Sequence, residues 1–176
     1  PVAGDDNPTT FEDTQITFNI LTNDTDSDGS INPASIDLDV LTPGQQTSVT
    51  IPGQGIFTVN LSNGDVLFLP YPNFNGSTTP ITYRVCDTGT PLPAQCDEAQ
   101  IVVNIIPIVD PPQAFDDYYT TPEETTLSNN VATNDAPSPD GTNVWTKLTD
   151  PVHGSISFNP DGSFNYTPVT NFNGND

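Results

Sequence analysis

The chain repeats itself, and the repeat limits what it can fold into more than any other feature. Ala3, Asp5 and Asp6 recur 111 positions later as Ala114, Asp116 and Asp117. The same offset carries Glu12 and Thr14 onto Glu123 and Thr125, Asn19 onto Asn130, and Thr22-Asn23-Asp24 onto Thr133-Asn134-Asp135. Further along, the offset is 98: Gly64 meets Gly162, Pro70 meets Pro168, and Phe74-Asn75-Gly76 meets Phe172-Asn173-Gly174. The 13-residue difference is extra length in the first copy, between about Ile31 and Gly53. Ordered matches of this density define two copies of one folding unit. The expected domains are residues 1–110, a complete repeat, and residues 111–176, a second repeat incomplete at its C-terminal end. The first copy runs on into two strand-like segments, 81–85 and 100–106. The second stops two residues after Gly174, so its last two strands are missing, and the chain reads as a slice of something longer. Pro107-Ile-Val-Asp-Pro-Pro112 is the linker, too rich in proline for a helix.

Each copy is built from strands. Ile16, Phe18 and Ile20 alternate with polar neighbours, as do Ile36, Leu38 and Val40, and Ile101, Val103 and Ile105 alternate with polar or exposed partners. Asn63-Gly64 and Asp161-Gly162 each sit between two such runs, where they predict two-residue hairpin turns. Proline and glycine make up about 18 % of the chain, against about 12 % in average usage. With no Met, one Lys and one Arg, a helical bundle is excluded. No stretch approaches the ~20 apolar residues of a membrane span. The expected class is all-β, a sandwich of about seven strands per copy, with an eighth in the first copy's insertion.

Charge narrows the function. Twenty-three acids against two bases give −21, spread along the whole length. Such a surface repels phosphate and excludes nucleic acid as a partner. So many carboxylates with almost no internal cation call for counter-charge from outside, which points to a divalent metal. Cys86 and Cys96 are the only cysteines, a poor zinc set with His153 alone beside them. A disulfide is the better reading, and it implies an oxidising compartment. No Gly-x-Ser-x-Gly elbow or second His supports a nucleophile. His153 reads as a turn residue, Trp145 as a core residue on a strand and Lys147 as an ordinary exposed lysine. Carboxylate pairs could serve a glycosidase, but no aromatic sugar platform accompanies them.

The motifs Ala-Gly-Asp-Asp, Phe-Glu-Asp-Thr, Leu-Thr-Asn-Asp-Thr-Asp-Ser-Asp-Gly and Pro-Asn-Phe-Asn-Gly follow one another in the first copy. In the second come His153-Gly154, Asp161-Gly162, Tyr166-Thr-Pro168 and Asn171-Phe-Asn-Gly174. In this order they resemble the cadherin-like, immunoglobulin-type tandem repeats of large bacterial surface adhesins. The resemblance implies calcium-dependent extracellular stalk repeats without catalytic activity. Two features depart from the pattern. The cysteine pair is a local addition, and the second acidic loop, 135–140, is poorer in ligands than the first.

With strands alternating up and down the sandwich, two acid clusters are expected. Asp5, Asp6, Asp24, Asp26, Asp28 and Asp87 cap the N-terminal end of the first copy. Glu12, Asp13, Asp110, Asp116, Asp117, Asp135 and Asp140 gather at the junction. Calcium accepts six to eight oxygens in flexible geometry, which suits loops of Asp and Asn. The run Asp24 to Gly29 resembles the opening of an EF-hand loop, but the required Glu and flanking helices are missing. The expected role is a calcium-stiffened extender on a bacterial cell surface or in a secreted protein. Its partners are the neighbouring repeats of the same chain. The rivals are a glycan- or protein-binding module, and a filament subunit completed by strands from another copy.

Overall fold

In the computed structural model, residues 1–89 and 93–176 are described. The chain divides into two compact units, Pro1–Ile108 and Val109–Asp176.

Among the described residues the first unit has ten strands: β1 (Thr9–Phe11), β2 (Ile16–Asn19), β3 (Ile31–Asp37), β4 (Ser48–Ile51), β5 (Gly55–Asn60), β6 (Asp65–Pro70), β7 (Gly76–Ser77), β8 (Ile81–Asp87), β9 (Cys96–Ile101) and β10 (Asn104–Ile106). One sheet has the order β2-β6-β5-β4 and a second β3-β8-β9. A third, β1-β10-β7, includes the parallel β1–β10 pair. Period two decides what lies inside. On β5, Phe57 and Val59 point inward while Thr58 and Asn60 face out; on β8, Ile81, Tyr83 and Val85 point inward. Phe57 and Phe68 pack with ring centroids 4.5 Å apart at the centre. Ile20, Ile36, Leu38, Val66, Ile101 and Val103 close the core around them. The insertion supplies β4, the edge strand beside β5.

The expected hairpin turns form. Gly64 and Gly162 take left-handed φ values of 82° and 83°, which only glycine adopts without strain. Cys86 and Cys96 are bonded, with Cα atoms 3.9 Å apart. The strand-like runs 81–85 and 100–106 predict that both cysteines lie in the loop between two strands, and they do not. They face each other in register on β8 and β9, because β8 runs on to Asp87. Titrating the unreduced, denatured protein should find no free thiol. Replacing both cysteines by serine should cost ~2.5–3 kcal/mol in the chain-entropy estimate for so short a loop.

The second unit has β11 (Leu127–Asn130), a 3-10 turn (Val131–Thr133), β12 (Gly154–Phe158) and β13 (Ser163–Pro168), in one sheet of order β11-β13-β12. These match β2, β5 and β6. Phe164 is the large hydrophobic residue buried here, packed against Tyr119 with ring centroids 5.4 Å apart. Leu148 is 93 % exposed and Val144 58 %. Trp145 does not lie on a strand, contrary to the sequence reading: one backbone bond, from its N–H to Pro160 O, ties it to the β12–β13 turn.

Three local hydrogen bonds of the first unit recur at equivalent residues of the second. Asn19 Oδ1 accepts from Leu21 N, and Asn130 Oδ1 accepts from Ala132 N. Asn19 and Asn130 donate to Asn63 O and Asp161 O across the hairpin turn. Thr10 and Thr121 donate to Thr14 O and Thr125 O. These short side chains bond locally to backbone, which is why the same residues recur at the same places.

Candidate functional site

The N-terminal end of the first unit is built around Asp24. The Val2–Thr25 bridge and the bond from Asn23 Nδ2 to Asp5 O hold its loop against the first residues. Asp24 Oδ1 accepts from Gly4 N at 2.8 Å. The Tyr83 hydroxyl reaches the same loop from the core face of β8, 3.2 Å from Asp24 Oδ1. It also lies 3.2 Å from Gly4 O and 3.4 Å from Ile20 O, and it bonds Asp6. A tyrosine has one proton to donate, and here it faces two carboxylates and two carbonyls.

That imbalance shows in the titration of the group. Burial, then the charge of Asp24, push Asp6 up to about 7. Burial likewise raises Asp24, and it raises Tyr83 together with the nearby charge of Asp24. Asp6 Oδ2 is buried without a hydrogen-bond partner. The folded state therefore holds a proton on Asp6 that the unfolded chain releases near its ordinary value of 3.8. The sign follows: this contribution is fully present below about 3.8 and is lost as pH rises through about 7. In chelator, the melting temperature of the first unit should fall between pH 5 and 8. A melting temperature rising over this range in chelator contradicts the assignment.

The other expected ligands at this end are placed as follows. Asp5 Oδ1 accepts from Gln100 N. Asp26 is 3 % exposed; its Oδ1 accepts from Asp28 N, which lowers its pKa most, and its Oδ2 is buried without a partner. Asp87 is turned to other work: at the end of β8 it accepts from Gly89 N and Gln95 N and closes the β8–β9 connection. Asp97 takes a place at this end that the sequence reading did not give it. Its Oδ2 accepts from Ala3 N at 3.0 Å, and its charge raises Asp24. Nothing local marks Asp97; it reaches the loop because β9 pairs with β8. Among the described residues, no three of these carboxylates bring oxygens within 4.8 Å of one another.

At Glu12 the first unit buries a second carboxylate. Its side chain has no exposed surface. Oε2 accepts from Asn75 Nδ2 at 3.1 Å and Oε1 accepts from Ile108 N. Next to it, Asp13 and Asn73 both take left-handed φ values, and Asn73 N donates to Asp13 Oδ1. The Pro-Asn-Phe-Asn-Gly motif thus holds the turn between β1 and β2.

In the second unit, Asp135 stands where Asp24 stands in the first. Its Oδ1 accepts from Phe115 N at 2.8 Å and its Oδ2 from Trp145 Nε1 at 2.6 Å. These N–H groups, Phe115 first, lower its pKa. Asp117 accepts from the Tyr119 hydroxyl, Asp116 O from Asn134 Nδ2, and Asp140 Oδ2 from Asp110 N. Glu123, the counterpart of Glu12, is exposed. His153 stacks on Phe172 with centroids 4.3 Å apart, and Lys147 pairs with Asp150, both structural roles.

Sheets in this order, inward β8 and a repeated acidic end loop define tandem immunoglobulin-like β-sandwich domains. The chain belongs to the bacterial Ig domain family, whose sequence model matches residues 1–104 and again 109–176. Two solved structures align with most of the chain. The Drosophila N-cadherin EC1-4 structure aligns with 96 % of this chain at 11 % identity and a TM-score of 0.45. This chain spans 40 % of its length. Murine CEACAM1b aligns with 93 % of this chain and 82 % of its own, at 13 % identity and a TM-score of 0.37. No curated protein matches the chain. Among the described residues no helix is long and apolar enough to cross a membrane.

Proposed function

We propose that these repeats are an extender segment of a bacterial surface adhesin or a related secreted protein, stiffened by calcium. The observation that carries the reading is the acidic end loop, repeated in tandem with almost no internal cation to balance it. In the first unit Asp6 and Asp26 each keep a buried carboxylate oxygen without a partner. Calcium suits such loops because it accepts many oxygens in irregular geometry. Asp5, Asp6, Asp24, Asp26 and Asp97 are the proposed ligands at the first unit's N-terminal end. Glu12, Asp13, Asp110 and Asp140 are those proposed at the junction. No catalytic role is proposed. Small-angle scattering tests the reading: calcium should lengthen the maximum dimension over the chelated state. Superimposable profiles refute stiffening.

A second proposal concerns residues 111–176. Val144, Leu148 and Val169 leave apolar surface of this unit exposed. Strands like β8 and β9 would cover it, supplied by a longer chain or by a neighbouring molecule through β-strand addition. Uniformly strong hydrogen-exchange protection across residues 113–176 in a monomer overturns this.

A further inference from the structure

We propose that Trp145 and Tyr119 together replace Tyr83 in the second unit, holding its acidic end in place without a cation. The argument rests on the calcium reading only for the contrast it draws with the first unit. There, a single hydroxyl, that of Tyr83, serves Asp24 and Asp6 as well as the carbonyl of Ile20, and one proton cannot satisfy them all. The second unit has no strand corresponding to β8 among its described residues. Its two carboxylates nonetheless each have a donor of their own. Tyr119, which aligns with Pro8, places its hydroxyl 2.9 Å from Asp117 Oδ1 and 2.9 Å from Asn130 O, one residue before the counterpart of Ile20. Trp145 places its indole N–H on Asp135 Oδ2, while Phe115 N holds Oδ1 as Gly4 N holds Asp24. An indole N–H donates and cannot accept, so it fixes a carboxylate without competing for a metal. Asp135 thereby spends both oxygens inside the unit. The two repeats share a fold and differ in what their end loops require: the first leaves carboxylate oxygens for a cation, and the second supplies its own donors.

Two-dimensional amide NMR of the 176-residue chain, taken from chelator into calcium chloride, tests this. In the native sequence the Gly4 amide should shift, while the Phe115 amide and the Trp145 indole N–H stay in place. In Trp145→Phe the Phe115 amide should shift in chelator, and calcium should move it back, a reversal that loss of packing alone does not produce. Tyr119→Phe should make the Asn134 amide respond to calcium in the same way. The proposal is overturned if calcium moves Phe115 and Trp145 in the native chain at the concentration that moves Gly4. It is also overturned if Trp145→Phe leaves Phe115 unmoved in chelator or insensitive to calcium. A silent Gly4 amide instead refutes calcium at the first unit, and the chelator arm of Trp145→Phe still decides the role of Trp145.

Discussion

Adding calcium to chelated protein should raise the melting temperature of the first unit by on the order of 10 °C. Extracellular calcium modules bind with dissociation constants of roughly 10⁻⁴–10⁻³ M. At a hundred times that concentration one site adds ~2.7 kcal/mol to the folded state. In a domain of this size each kcal/mol moves the midpoint by about 4–8 °C. The direction comes from the charges themselves: a net charge of −21 opposes compaction, and Asp6, Asp24 and Asp97 act on one end of the fold. Sodium chloride at matched ionic strength is the control, since it screens surface repulsion without entering a site. Differential scanning calorimetry in calcium, in chelator and in salt separates the contributions. Identical melts in calcium and chelator would remove the metal from the account.

Glu12→Ala should destabilise the first unit by about 2–4 kcal/mol, while Glu123→Ala, at the equivalent position of the second, should stay within about 0.5 kcal/mol. Glu12 is buried and holds Asn75 Nδ2 and Ile108 N; removing it strands both donors in a partly buried place. Each stranded donor costs ~1–3 kcal/mol, and the emptied volume adds to that. Glu123 is exposed, so its loss leaves no buried group unsatisfied. Urea denaturation in chelator measures both variants without any contribution from metal binding. Equal, small effects would show that the carboxylate of Glu12 contributes little and that the Asn75 contact is incidental. Glu12→Gln is the informative intermediate: it keeps one acceptor and removes the charge.

Much of this was legible in the chain. The offsets of 111 and 98 align Asn19 with Asn130 and Asn63-Gly64 with Asp161-Gly162, and the hydrogen bonds of those residues correspond. Turn chemistry acts over a few residues, so a repeated string makes a repeated turn. Alternation of apolar and polar residues picked out Ile20, Ile36 and Leu38, and Ile101, Val103 and Ile105, as buried residues for the same reason: in a strand, sequence neighbours point to opposite sides. The cysteine pair was legible as a bond, but its position was misread because the strand continues two residues beyond the apolar run, to a buried Asp87. Trp145 was misread as a strand residue, since an apolar ring beside alternating neighbours gives no sign that its N–H has a carboxylate to serve.

Composition, repeat and local turn signals by themselves determined an all-β tandem with acidic ends and a disulfide, because each depends on neighbours in sequence. Which donor meets which carboxylate was decided by tertiary structure alone. Tyr83 reaches Asp24 across 59 positions, Ala3 reaches Asp97 across 94, and Glu12 reaches Ile108 across 96. Those pairings follow from the register of β8 on β9 and of β1 on β10, set by closure of the whole sandwich around Phe57 and Phe68. A hydrogen bond or a charge contact is decided within a few ångströms, and only the closed fold brings residues so far apart in the chain that near.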